Sequence, residues 1–259
     1  MLNMLVSTLW RNSRGIINLN NYGFIQRKQA VIIGSASSAM NSNKAKAGVD
    51  KLRQIVHSHS SDGWEKSWRE GVTPWDLGQP TPILLHLLQT DSLPKGRALV
   101  PGCGSGHDVI AIASPDRYVV GLDISESAIE IATKLSSSSS NANYHTFLKT
   151  DFFTWQPTGL FDLVFDYTFF CAIEPDMRSA WASRIQDLLK PSGELITLMF
   201  PISDHVGGPP YKVSVADYEE VLHSMGFRAT SILDNELAIG PRQGREKLGR
   251  WKRSTQSSL

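Results

Sequence analysis

The stretch Ala98-Leu99-Val100-Pro101-Gly102-Cys103-Gly104-Ser105-Gly106-His107-Asp108 runs from an apolar strand into three glycines at alternate positions and then into the start of a helix. Glycine lets the backbone turn sharply and lets a ligand approach where any Cβ would collide, while free N–H groups at the helix start face that ligand. The spacing departs from the dinucleotide fingerprint, because the late glycine that packs helix on strand is missing. Taken alone, the pattern fits a nucleotide site and an ordinary strand-to-helix turn alike.

Working outward, strands and helices alternate. Pro80 to Leu88 reads as a helix with Ile83, Leu84, Leu87 and Leu88 on one face, and a helix from Ser105 to Ala113 follows the glycines. Tyr118 to Asp123 is a second strand, and Ser125 caps a helix whose apolar face is Ile124, Ala128, Ile131 and Leu135. Ser136 to Ser140 is a loop, Tyr144 to Leu148 a third strand, and Phe161 to Tyr167 the nearly continuous apolar run of a central parallel strand. A helix from Asp176 to Leu189 closes at Lys190-Pro191-Ser192-Gly193, before a strand from Glu194 to Phe200. Helix Val215 to Met225, strand Phe227 to Leu233 and a last strand ending at Arg253 complete the series. The alternation predicts an α/β fold, a mostly parallel sheet with helices on both faces and ligands at the carboxyl ends of the strands. Gly102 to Gly106, Asp123, Asp151, Phe152 and Tyr167 all lie just past strand ends, so they are predicted to share one crevice.

Composition narrows the class. A chain of 259 residues with 41% hydrophobic content buries one core, a domain of about 200 residues plus extensions. The net charge of +1, with no basic cluster in the middle of the chain, argues against nucleic acid as a partner. No apolar run approaches the roughly 18 residues of a membrane span, so no membrane partner is expected. The two cysteines, Cys103 and Cys171, make no metal set and point to a reducing compartment. Residues 1–45 are an extension outside the 46–254 domain, and 255–259 are a tail. The chain has no Asp or Glu before Asp50 but carries Arg11, Arg14, Arg27, Lys28, Lys44 and Lys46, so the extension reads either as an organelle transit segment or as disordered. The expected location is cytoplasmic, or organellar if the segment is a transit peptide. Nothing in the sequence requires more than a monomer.

The chemistry lies at the strand ends. Asp123, 21 positions after Gly102, is placed to accept hydrogen bonds from both hydroxyls of a ribose. Asp151-Phe152 would set a carboxylate near an exocyclic amino group and a ring against a base. No basic residue accompanies the glycines, and Asp108 would oppose a pyrophosphate but suit a ligand carrying positive charge. S-adenosylmethionine, with its sulfonium, amino group, ribose and adenine, fits these features better than a nicotinamide dinucleotide. Three of the seven tryptophans, Trp64, Trp68 and Trp75, fall within twelve positions. They read either as a cap on the core or as the wall of a site for a cationic or aromatic ligand.

Trp64, Trp68 and Thr73-Pro74-Trp75-Asp76, followed by Leu99 to Gly104, Gly121-Leu122-Asp123-Ile124-Ser125, Asp151-Phe152-Phe153 and Phe165 to Ile173, together resemble the thiopurine S-methyltransferase family. Leu195 to Pro201 and Asp204 to Tyr211 are similar to its plant halide and thiol methyltransferases. The resemblance spans about residues 50 to 253. It implies a Rossmann-like class I methyltransferase fold with a mostly parallel seven-stranded sheet and an S-adenosyl-L-methionine site formed by Trp64, Trp68, Trp75, Gly102, Asp123, Asp151, Phe152 and Tyr167. It implies methyl transfer to small soft anions, thiocyanate, hydrosulfide and thiols, iodide, bromide and chloride, by in-line displacement. Such nucleophiles are already ionised, so no catalytic base is needed, none is apparent, and no metal is expected. The Tyr167 phenol either donates to the anion or packs on the cofactor, and His205 either lines the substrate entrance or is a plain surface histidine. Cys103 reads as a small strand-end residue and Cys171 as core. The rival readings are a thiopurine-type enzyme for aromatic thiols, a silent S-adenosylmethionine-binding module and a nicotinamide-dependent oxidoreductase.

Overall fold

A computed structural model describes residues 46–59 and 62–254. The expected extension over 1–45 and the tail over 255–259 lie outside the described residues. The elements are helix α1 (46–58), α2 (Gly63–Arg69), α3 (Pro82–Gln89), β1 (Gly96–Pro101), α4 (His107–Ile112), β2 (Arg117–Asp123), α5 (Glu126–Ser136), β3 (His145–Lys149) and β4 (Phe161–Tyr167). They continue with α6 (Arg178–Leu188), β5 (Leu189–Met199), α7 (Val215–Ser224), β6 (Phe227–Asp234) and β7 (Lys247–Arg253).

The seven strands form one sheet in the order β3-β2-β1-β4-β5-β7-β6. β1 to β5 are mutually parallel, and β7 lies antiparallel between β5 and β6. This is the expected α/β sheet. The register explains why the central strands are apolar on both faces. Leu99, Val120, Val164, Leu195 and Trp251 stand in one row across five strands, in a core completed by Trp181 and Ile185 of α6 and Tyr218 and Leu222 of α7. Their neighbours Ala98, Val119 and Leu163 point the other way, into a core with Ile83, Leu84 and Leu87 of α3 and Val109 and Ile112 of α4. The chain leaves β1 toward β2 on one side and returns to β4 on the other. The carboxyl ends of β1 and β4 therefore flank the switch point where a crevice opens.

Two local expectations are corrected. Lys190-Pro191-Ser192-Gly193 belongs to β5, where Phe161 pairs with Leu189 and Leu163 with Glu194, so these residues bulge from the ladder opposite Asp162. Lys190 Nζ holds the bulge by donating to both Asp162 oxygens at 2.9 and 2.8 Å. On α5 the buried residues are Ala128, Ala132 and Ser136, while Ile131 and Leu135 are each 43% exposed and Ile124 49%. Small side chains face inward because α5 sits close to its neighbours: a Cβ at Gly106 would come within 2.8 Å of Ala132 Cβ.

The missing late glycine of the fingerprint also finds an explanation. The close helix-to-strand approach is provided from the strand side by Gly121 of β2, where a Cβ would lie 2.9 Å from both Cys103 Sγ and Val109 Cγ2. Overpacking of this kind costs about 1–3 kcal/mol. Gly121→Ala is accordingly expected to lower the stability measured by urea denaturation by that amount, and an unchanged midpoint would show that the packing has room to spare.

Candidate active site

A cavity of about 700 Å³ opens at the carboxyl ends of the parallel strands, and a smaller one of about 70 Å³ adjoins it above the glycine turn. Trp64, Trp68, Trp75, Gly102, Asp123, Asp151 and Phe152 all line the larger cavity. Tyr167 does not; it lines the smaller one. Trp68, Trp75, Gly102 and Thr168 line both and form the neck between them.

The tryptophans serve packing and cavity at once. Trp75 meets Trp64 edge-to-face at 5.4 Å and Trp68 at 5.8 Å, an arrangement that aromatic quadrupoles favour. Leu52, Ile55 and Val72 pack with Trp64 and Trp75, which places α1 against the same wall. Helix α2, which carries Trp64 and Trp68, is fixed by Glu65. That carboxylate accepts from Ser125 Oγ at 2.7 Å, Ser127 N at 3.1 Å and Ser127 Oγ at 2.7 Å. Burial raises the Glu65 pKa, but hydrogen bonds from Ser127 and Ser125 outweigh it and leave the group below its ordinary value. The bonds tie the aromatic wall to the amino end of α5, two residues beyond Asp123.

Asp123 pins the glycine turn. Its Oδ2 accepts from Gly104 N at 2.9 Å and its Oδ1 from Ser125 N at 2.9 Å. Burial raises its pKa against the pull of these amides. Each carboxylate oxygen keeps a further acceptor position, enough for two ribose hydroxyls. Gly102 has φ +58°, and a Cβ there would lie 2.6 Å from Phe169 Cδ2, so the turn accepts no side chain at this position. At the end of β3, Asp151 Oδ1 accepts from Phe153 N at 2.9 Å. Buried Phe152 meets Phe153 edge-to-face at 5.3 Å and Phe169 at 5.1 Å. Arg184 of α6 holds this turn from behind, donating to the carbonyls of Phe152 at 3.4 Å and Trp155 at 2.5 Å.

Arg242 and Arg245, from the connection between β6 and β7, also line the larger cavity. The Arg242 guanidinium lies 4.8 Å from the Phe200 ring centroid and that of Arg245 5.5 Å. Arg242 Nη2 donates to the Trp75 carbonyl at 2.6 Å, and Nη1 donates to the Tyr167 hydroxyl. Neither arginine forms an ion pair among the described residues. The Tyr167 hydroxyl donates to Glu246 Oε1 at 2.5 Å, so the proton offered in the sequence reading to an anionic substrate is already placed. Asp108 lines the smaller cavity, and its oxygens accept from Thr81 N and Oγ1 at 2.7 and 2.8 Å, which ties α4 to the start of α3.

His205 lines the larger cavity. Its Nε2 donates to the Pro210 carbonyl at 2.8 Å, and its Nδ1 is hydrogen-bonded to Ser203 Oγ at 2.7 Å. The Gly-Pro loop around it is roped to α1 by Arg53 Nε to the Pro209 carbonyl at 3.3 Å and His57 Nε2 to the Gly208 carbonyl at 2.8 Å. Burial pushes the Cys171 thiol up to about 12 and that of Cys103 well above its ordinary value, so neither supplies a thiolate. No cluster among the described residues suits a metal ion, and none of their helices is long and apolar enough to cross a membrane. The sequence reading missed Arg242, Arg245, Phe169 and Phe200 as wall residues. The only signal for the arginines was their place in a glycine-proline turn, Gly240-Pro241-Arg242-Gln243-Gly244-Arg245.

The Glu65 tether yields a pH-dependent test. Hydrogen bonds to a charged group contribute about 1.5–3 kcal/mol, so Glu65→Gln is expected to lower stability at neutral pH by about that amount. A carboxylate held below its ordinary pKa stabilises above the unfolded value of 4.5 and loses that contribution as the pH falls through its lower folded value. The gap between wild type and variant in melting temperature should therefore close in acid. A gap that persists there would assign the effect to shape instead of charge.

Residues 59–254 match the family model described as Thiopurine S-methyltransferase. The chain is 61% identical over 222 residues to a probable thiol methyltransferase 2 of Arabidopsis thaliana, a match covering 86% of this chain and 96% of the relative. It is 64% identical over 191 residues to thiocyanate methyltransferase 1 of Brassica oleracea, covering 74% and 84%. Among solved structures, an enzyme that converts a disulfide into a thioacetal in echinomycin biosynthesis superposes with a TM-score of 0.63 at 22% identity, covering 77% of this chain and 94% of that one. Magnesium protoporphyrin IX methyltransferase of Synechocystis, solved with bound S-adenosylmethionine, gives 0.53 at 22% identity over 66% and 76%. The fold is that of the class I S-adenosylmethionine-dependent methyltransferases, and the chain belongs to the thiopurine S-methyltransferase family.

Proposed function

We propose that the protein transfers the methyl group of S-adenosylmethionine to small soft anions, thiocyanate and thiolates first, with iodide, bromide and chloride as further substrates. The observation that carries this reading is the division of one cavity by charge. Asp123 and Asp151 follow β2 and β3 on one side of the switch point, and Arg242 and Arg245, without an ion-pair partner among the described residues, come from the β6–β7 connection on the other. The residues suit the cofactor: a glycine turn that a Cβ would fill, a partly buried carboxylate with spare acceptor positions beside it, and aromatic walls for a planar base and a sulfonium.

The bound cofactor supplies an electrophilic methyl group. The work left to the chain is alignment and exclusion of water. Trp68, Trp75, Gly102 and Thr168 narrow the passage at the neck, Phe169 and Phe200 make the walls apolar, and the two guanidiniums attract an anion toward them. Charge is dispersed as an anion meets a sulfonium, and a dry aromatic pocket favours that change over bulk water. No base is required for thiocyanate or halides. The relatives named for thiocyanate and thiols support this reading. The apolar wall of Phe153, Phe169, Ile173 and Phe200 supports aromatic thiols as a second substrate class. For location, the segment without Asp or Glu before Asp50 supports organelle import. A fluorescent fusion of residues 1–45 that stays cytoplasmic would remove that part.

Asp123→Ala deletes two acceptors for ligand hydroxyls and is expected to weaken S-adenosylmethionine binding by about tenfold or more in calorimetric titration. Unchanged affinity would rule out the ribose role. Incubating the protein with labelled S-adenosylmethionine and thiocyanate, sulfide, iodide or an aryl thiol should release methylated product most readily from thiocyanate or sulfide. Methylation of the aryl thiol alone would overturn the small-anion reading.

A further inference from the structure

Strand β4 ends in a conformation its sequence does not favour. Thr168 has φ +63°, in the left-handed region where a β-branched side chain is crowded and the backbone costs about 1–3 kcal/mol. It sits on the neck shared by both cavities. The turn is hung from a group that lines neither cavity. Asp166 is 1% exposed; its Oδ1 accepts from Phe170 N at 3.2 Å, the Phe169 amide also donates to the carboxylate, and Oδ2 accepts from Trp181 Nε1 at 2.9 Å. The Cys171 thiol donates to the Thr168 carbonyl at 3.4 Å and closes the turn. Phe169, the next residue, carries the turn's position forward, since its ring lies against Gly102 and Phe152.

We propose that Asp166 is a positioning residue for methyl transfer: its buried carboxylate, through the Phe169 and Phe170 amides, holds Thr168 in the left-handed turn at the neck between the two cavities and so sets Phe169 on the wall of the larger one. This rests on the methyl-transfer reading of the cavity. All three partners of the carboxylate are donors, and a protonated Asp166, having lost its charge and gained a donor of its own, accepts from them more weakly. Burial pushes Asp166 up to about 6, against the pull of the Phe170, Trp181 and Phe169 N–H groups. The neighbouring groups are Cys171 and Tyr218, both raised by burial and so neutral, and Arg178, which lies 4.8 Å from the Phe170 ring and pairs with Asp217 at 3.5 Å. The carboxylate therefore holds the turn most firmly above about pH 6 and less firmly below it.

The test uses thiocyanate, which stays ionised throughout, so that an acid limb cannot come from the nucleophile. With S-adenosylmethionine saturating, kcat of the wild type is expected to fall in acid with a midpoint near 6. Asp166→Asn should lower kcat at neutral pH about tenfold or more, leave the S-adenosylmethionine Kd within about twofold, and abolish that limb. A variant with wild-type kcat, an unmoved limb, or parallel losses of kcat and cofactor affinity overturns the proposal. Should Asp166→Asn fail to fold, Trp181→Phe removes one donor from the carboxylate and keeps both turn amides. The limb should then move to higher pH, and an unmoved limb overturns the proposal. A wild type that binds no S-adenosylmethionine overturns the methyl-transfer reading together with this one. Normal wild-type turnover with an unaffected Asp166→Asn overturns this one alone.

Discussion

The hydrogen bond from the Gly104 amide to the Asp123 carboxylate ties the glycine turn to the end of the next strand, and the site is built between them. β1 delivers the glycine turn and β2 delivers the acid; the ladder sets Asp123 opposite Lys149 of β3, Cys103 N donates to the Leu122 carbonyl at 2.8 Å, and beyond that point the Asp123 side chain holds the turn. With the bond in place, the turn lies flat against the Phe169 ring, and the other Asp123 oxygen orders the start of α5 through Ser125. Glu65 then grips Ser125 and Ser127 and brings the tryptophan helix over the same point. The aromatic wall, the acid and the glycines are three consequences of one short chain of partly buried polar contacts. Each contact costs desolvation that only full satisfaction recovers.

The parts of this arrangement that the sequence displayed are those where chemistry and chain position coincide. A glycine run after an apolar strand, an acid at the end of the next strand and paired tryptophans at helical spacing are local patterns, and the parallel alternation places their ends together. What stayed hidden depends on long-range partners. Tyr167 lies at a strand end as expected, but its hydroxyl is engaged by Glu246, 79 residues away. Asp108 looked unpaired until Thr81 was brought to it by the packing of α3 on α4. The inward face of α5 misled for another reason. Apolar periodicity points to the larger side chains, yet the tight approach to Gly106 admits only alanine and serine. Arg242 and Arg245 sit in a loop that no spacing rule connects to the glycines.

The division of labour between buried charges follows from their partners. Carboxylates that receive several N–H or O–H donors, such as Asp123, Asp166 and Glu65, serve geometry first, and their electrostatic effect on a ligand is secondary. The guanidiniums resting on Phe200 differ in having no carboxylate partner among the described residues: Arg242 is held by the Trp75 carbonyl and the Tyr167 hydroxyl, and both arginines keep their positive charge on the cavity wall. A cavity that handles a cation and an anion in turn needs both kinds.

The sheet order also dictates when the site can exist. β7 is the last of the seven strands along the chain but stands inside the sheet, between β5 and β6. On a ribosome, β6 emerges before the strand that joins it to the rest, and the loop carrying Arg242 emerges with that missing strand. Arg242 in turn grips the Trp75 carbonyl, 167 residues earlier. A nascent chain in which β7 has not yet emerged would thus have a glycine turn and an acid but neither a finished sheet nor a basic wall. The basic wall is assembled only once β7 has joined the sheet.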